Sequence, residues 1–123
     1  MIALNLNAHH GELTRAISSE LRYIRRLGAS HDMILATSNL GAYEAVLLIA
    51  AEGPEGLPVY KAIDGVSSRY CSQSGIIKRL KLLREAGLLY ERPGEKKSQV
   101  YLSASEKLID QLRDALLERR DVA

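Results

Sequence analysis

The chain has 123 residues, of which 26% are charged, with no Phe or Trp, one cysteine and a formal net charge of +2. That length supports one domain with a single aliphatic core, and the composition excludes a disulfide scaffold and a disordered or low-complexity chain. The longest apolar run, residues 45–51, is far too short to span a bilayer, and the leading MIALNLNAHHGEL lacks the basic start and sustained apolar run of a secretory leader. We therefore expect a reducing, cytoplasmic compartment and no membrane partner.

Charge is unevenly placed. Residues 1–59 carry −2 and residues 102–123 carry −1, whereas residues 60–101 hold nine Lys/Arg against four Asp/Glu, or +5. A middle segment with that excess favours a polyanionic partner.

In chain order, residues 11–27 place Leu13, Ile17, Leu21 and Ile24 at i, i+4, i+8 and i+11, a helix with one apolar stripe. Arg15, Arg22, Arg25 and Arg26 lie off that stripe, and Gly28 ends it. Residues 29–37 read equally as a short helix or a buried connector. Ser38 or Asn39 caps the next helix, residues 40–52, which is apolar nearly all round and so belongs at the centre. Gly53-Pro54-Glu55-Gly56 stops it. Pro58 suits the first turn of a short helical element that runs to Ile63 and breaks at Asp64-Gly65.

Residues 72–92, SQSGIIKRLKLLREAGLLYER, read as an amphipathic helix stopped by Gly87 and followed by a strand. Ile76, Leu80 and Leu83 share one side, Ser72 or Ser74 caps the front, and Lys78, Arg79, Lys81 and Arg84 face outward. Small polar residues at the front fit a major groove and flanking cations fit phosphates. An ordinary surface helix has the same pattern. Leu88–Arg92 and Gln99–Leu102 form a two-stranded hairpin with its turn at Pro93-Gly94 and a basic tip. Ser103-Ala104-Ser105-Glu106 matches a capping box for a final helix, whose face carries Leu108, Ile109, Leu112, Ala115 and Leu116.

Helix, helix, basic helix and basic hairpin give the expected fold: mainly α with a small two-stranded β wing, a winged helix-turn-helix between N- and C-terminal dimerisation helices. We expect residues 1–38 to be a helical dimerisation arm, 39–103 the DNA-binding domain and 104–123 a C-terminal dimerisation helix. The run YEAVLLIAAEG, LPVYKAI, SQSGIIKRLKLLREAGLLYERP and QVYLSASEKLIDQL resembles the multiple-antibiotic-resistance regulator (MarR-like) winged helices over residues 40–116. Leu83, Gly87, Leu88, Leu89 and Arg92 are its most specific part. The resemblance implies a homodimeric transcriptional repressor of palindromic sites on double-stranded DNA. It implies DNA contact by Ser72, Gln73, Ser74, Ile77 and Lys78 in the helix and by Arg92, Lys96 and Lys97 in the wing. Arg69 and Lys81 complete the DNA-binding set, with Lys81 and Arg84 contributing general attraction. It also implies dimerisation through Leu13, Ile17, Leu21 and Ile24 with Leu108, Ile109, Leu112 and Leu116. The family's Asp-x-Arg wing element is replaced here by a shorter Gly94-Glu95-Lys96-Lys97 tip, which suits phosphate rather than an arginine contact in the minor groove. A small-molecule effector is left open.

Other chemistry finds little support. No phosphate-cradling glycine loop, supported Ser/His/Asp set or His-Glu-x-x-His is present, so neither an enzyme nor a cofactor is expected. His9, His10 and His31 lack a zinc spacing. Cys71 reads as a small half-buried thiol beside the basic helix, with a redox role as its rival. Two other functions fit the same residues: a winged-helix module that binds protein, and a phage or plasmid replication or excision accessory that binds DNA.

Overall fold

The computed structural model describes the backbone of residues 2–67, 71–94 and 99–120, with side chains from residue 10 to residue 119 of those segments. The fold is mainly helical with a small three-stranded antiparallel sheet. The elements are α1 (Ile2–Gly28), α2 (His31–Thr37), α3 (Leu40–Ala51), a 3-10 turn (Gly53–Glu55), β1 (Leu57–Pro58) and α4 (Val59–Asp64). They continue with α5 (Gln73–Glu85), β2 (Leu89–Pro93), β3 (Val100–Ala104) and α6 (Glu106–Arg120).

Helix α3 is central, as its all-round apolarity requires. Ala42, Ala45, Val46 and Ile49 are fully buried, and Asn39 caps its front by accepting from the Ala42 N–H at 2.9 Å. The ambiguous stretch before it is a helix: Ser30 caps α2, and Met33 and Ala36 pack into the same cluster as Val46, Leu83 and Leu102. The cluster also takes Leu108, Leu112 and Ala115 of α6. The core therefore runs through both of the boundaries expected at residues 38 and 103.

The sheet corrects the two-stranded expectation. Order is β1-β3-β2, with Leu57 opposite Leu102 and Leu89 opposite Ala104. Pro58 is not in a first helical turn; it pairs with Tyr101 in the short edge strand β1, a place where its missing N–H is tolerated. Gly56 makes the approach feasible. Its φ is 78°, and a Cβ there would stand 2.6 Å from the Leu102 carbonyl oxygen. Three boundaries also move. Helix α1 starts at Ile2 rather than residue 11. Pro93 stays in the ladder opposite Val100, and Gly94 still donates to the Gln99 carbonyl at 3.2 Å, so Pro93 and Gly94 belong to the paired part of the hairpin. The cap of α6 is Ser105, whose Oγ accepts from the Leu108 N–H at 3.1 Å; Ser103 remains in β3. A cap two residues later keeps Ser103 and Ala104 paired with Tyr90 and Leu89.

Helices α1 and α6 pack antiparallel through polar contacts. Ser19 Oγ donates to the Glu118 carbonyl at 2.7 Å, and Arg119 donates two hydrogen bonds to Glu20 at 2.9 and 2.7 Å. The Arg119 guanidinium sits 3.8 Å over the Tyr23 ring, and Tyr23 shares a hydrogen bond with Tyr43 of α3. Burial, then the Tyr43 hydroxyl, pushes the Tyr23 phenol up from its ordinary value, so it stays neutral. Further down, Lys107 of α6 meets Asp32 at 2.8 Å and holds its carboxyl below the usual value.

The apolar stripe of α1 is not what packs here. The face toward α6 is that of Ser19, Tyr23 and Leu27, while Leu13, Ile17, Leu21 and Ile24 are 43–55% exposed. Residues 10–18 are exposed throughout, whereas Ser19, Glu20, Arg22 and Arg26 all meet α6. The N-terminal half of α1 extends past the end of α6.

Helix α5 ends in a Schellman motif. Gly87 (φ 76°) donates to the Arg84 carbonyl at 3.0 Å, Leu88 donates to the Leu83 carbonyl at 2.9 Å, and both leucines are fully buried. A Cβ on Gly87 would meet nothing within 4 Å, so only its backbone conformation is at stake. Gly87→Ala should therefore cost about 1 kcal/mol in urea unfolding without changing the fold.

Candidate nucleic-acid interface

The basic helix α5 is positioned by what it buries. Ile76, Leu80 and Leu83 are at most 2% exposed and pack into the cluster with Ala45, Val46 and Ile49 of α3. Each such burial is worth roughly 1.5–3 kcal/mol, so the rotation of α5 about its axis is strongly fixed. Successive residues advance by 100°, and the opposite side must then face outward. Gln73, Ser74, Ile77, Lys78 and Lys81 are all exposed.

The front of α5 is held close to the front of α3. Ser72 Oγ caps α5 by accepting from the Gly75 N–H at 3.1 Å, with Ser74 Oγ 3.4 Å from it. Cys71 Sγ accepts from the Gly41 N–H in the first turn of α3 at 3.2 Å. A Cβ on Gly41 would stand 2.7 Å from Cys71 Cβ and 2.9 Å from Ile76 Cδ1, so glycine is needed there for the approach. Gly75 plays a lesser part: its Cβ would lie 3.0 Å from Ser72 Oγ and 3.9 Å from Asn39 Nδ2. Two helix N-termini, each with a positive dipole end, thus converge beside the polar front of α5. Glu44 of α3 fixes the chain entering this region by accepting from the N–H and hydroxyl of Ser67, at 3.0 and 2.9 Å.

The hairpin stands beside α5, and its cations are not all available. Arg84 pairs with Glu91 of β2, which ties the helix to the hairpin base. Arg92, expected to face DNA from the wing, instead donates to the Pro54 carbonyl. Register explains this: Arg92 lies opposite Tyr101 and alternates with Glu91, so it projects from the sheet face away from α5. Between α4, α5 and the hairpin lies a groove of about 400 Å³ lined by Val59, Tyr60, Ile63, Arg84, Gln99 and Val100.

The placement of the sequence-derived site residues is therefore mixed. Gln73, Ser74, Ile77, Lys78 and Lys81 come together on one exposed side, and Ser72 caps the front of the helix beside them. Arg69, Lys96 and Lys97 lie outside the described residues. Leu108 and Leu112, expected at a dimer surface, are buried in the chain's own core; Leu116 packs against that core. Ile109 is half-buried in a groove of about 470 Å³ between Ala50, Pro54 and Ala104. Sequence reasoning missed the Gly41–Cys71 contact and both arginine attachments. Gly41, the one glycine in the apolar helix α3, was the signal for the first.

Among the described residues, no three His, Cys, Asp or Glu side chains come together as metal ligands would, and no single helix is long and apolar enough to cross a membrane. Comparison of the chain with protein-family models, curated proteins and solved structures gives no match.

Ser72 alone makes the capping bond to Gly75. Ser72→Ala should cost about 1 kcal/mol in thermal or urea unfolding, whereas Ser74→Ala should cost a few tenths at most.

Proposed function

We propose that the chain is a winged helix-turn-helix, sequence-specific binder of double-stranded DNA that acts as a homodimeric transcriptional repressor of the MarR-like kind. One observation carries the reading: α5 buries Ile76, Leu80 and Leu83 and leaves Gln73, Ser74, Ile77, Lys78 and Lys81 together on its free face. Several others support it. The hairpin follows α5 through a fixed turn, the N-termini of α3 and α5 converge at the same place, and residues 60–101 hold the chain's excess of positive charge. In this reading Gln73 pairs with adenine, the serines contact base edges or phosphate, and Lys78 and Lys81 neutralise phosphates. Arg92 contributes only by leaving Pro54.

The same reading assigns the dimer contact to α1 rather than to α6. The core already occupies Leu108 and Leu112, whereas Leu13, Ile17, Leu21 and Ile24 form an uncovered aliphatic stripe on a helix that outruns its neighbour. A second copy of the same stripe is its natural complement.

Selection of bound duplexes from a random pool tests the first part. The expected result is a palindrome with half-sites about one helical turn apart and an affinity that falls steeply with salt. Gln73→Ala should weaken the selected site roughly 10-fold while leaving random duplex unchanged. Lys81→Ala should weaken both alike and lower the salt slope by about one. No binding to any duplex at low salt would overturn the DNA reading in favour of a protein-binding module.

For the dimer, Ile17→Glu combined with Leu21→Glu should convert the protein to a monomer in sedimentation equilibrium at micromolar concentration, with its helical content otherwise retained. A dimer that survives both changes rules out the α1 contact.

A further inference from the structure

Ile77 stands out on the free side of α5. It is 49% exposed and is neither a member of the apolar cluster nor packed against it. At 100° per residue it lies only 40° from Gln73 around the helix, and about 6 Å further along it. Ser74 and Lys78 repeat that relation in the adjoining row. The front of α5 is thus a patch of four side chains, three of them polar and one a branched aliphatic. Leu82, the other exposed aliphatic on this helix, lies about 140° from Ile77 and outside the patch.

An aliphatic side chain adds nothing to phosphate binding, and within the chain Ile77 meets no apolar cluster. The edge of a base pair in the major groove offers one apolar group, the C5 methyl of thymine. Beside it, the Gln73 amide matches the N6 and N7 edge of adenine. Resting on the DNA-binding reading above, we infer that Ile77 is a specificity residue that reads a thymine methyl group, within about two base pairs of the adenine read by Gln73. The 6 Å between the two side chains is a little under two base-pair rises of 3.4 Å. Each half-site then contains an adenine and a thymine at fixed separation. The thymine is recognised by contact and dehydration alone, with no hydrogen bond.

The test uses the full chain and a duplex selected from a random pool, with each thymine replaced in turn by deoxyuridine. That change deletes the methyl group and keeps the base pair. Fluorescence anisotropy should find one thymine per half-site whose replacement weakens wild-type binding about fourfold, the worth of one buried methyl group. Ile77→Ala should bind the parent and the deoxyuridine duplex equally, with unchanged circular dichroism, and Ile77→Val should keep part of the discrimination. Wild type indifferent to every replacement overturns the inference while leaving DNA binding intact, and so does Ile77→Ala showing the same fourfold loss. The wild-type scan decides this even if the alanine variant does not fold. Wild type that binds no duplex at low salt overturns the DNA-binding reading instead.

Discussion

Everything that gives this chain a defined outer surface follows from how α5 seats on α3. The contact is apolar along its length and tightly constrained at one end, where Gly41 lets Cys71 and Ile76 come within van der Waals distance of the α3 backbone. A larger residue at position 41 would push the front of α5 away. Because the buried side is only Ile76, Leu80 and Leu83 wide, the outward side is fixed by rotation alone. At the far end the Gly87 turn passes that orientation to β2, and the burial of Leu83 and Leu88 locks it. The core thus sets the orientation of α5 and of the hairpin base together.

The charges are arranged around that unit by a different rule. Arg84 and Arg92 sit on neighbouring elements and are both engaged within the chain, one with Glu91 and one with the Pro54 carbonyl. These contacts are exposed and contribute little to stability. Their effect is positional, since they hold β2 from its two faces. The cations left at the surface of α5 are Lys78, Lys81 and the half-exposed Arg79, so the formal excess of +5 over residues 60–101 overstates what a polyanion would meet in the described part.

Much of the architecture was legible in the residues. The apolarity of 40–52 marked the central helix, the 76-80-83 spacing marked the buried side of α5, and Gly87 marked its end. What escaped was non-local. Strand β1 is two residues long and exists only because β3 lies beside it; its proline pointed to a helix start. The Ser103 box was a good local match that lost to pairing with Tyr90, leaving Ser105 to cap. The α1 stripe was correctly read as one face of a helix. What the count could not show is that α1 packs on α6 through a different side, that of Ser19 and Tyr23, because the polar contacts with Glu118 and Arg119 lie outside an aliphatic periodicity.

The overhang of α1 has a consequence for how the molecule behaves on dilution. Among the described side chains before Ser19, residues 10–18 are all exposed, the aliphatic Leu13 and Ile17 included. A segment of that length is marginal as a helix in water unless its apolar face is covered. In the proposed dimer, covering that face and forming the helix become one equilibrium. The ordered length of α1 is then a function of protein concentration, and association is paid for partly by folding. The segment would act as a concentration gauge, extended when copies are abundant and frayed when they are scarce.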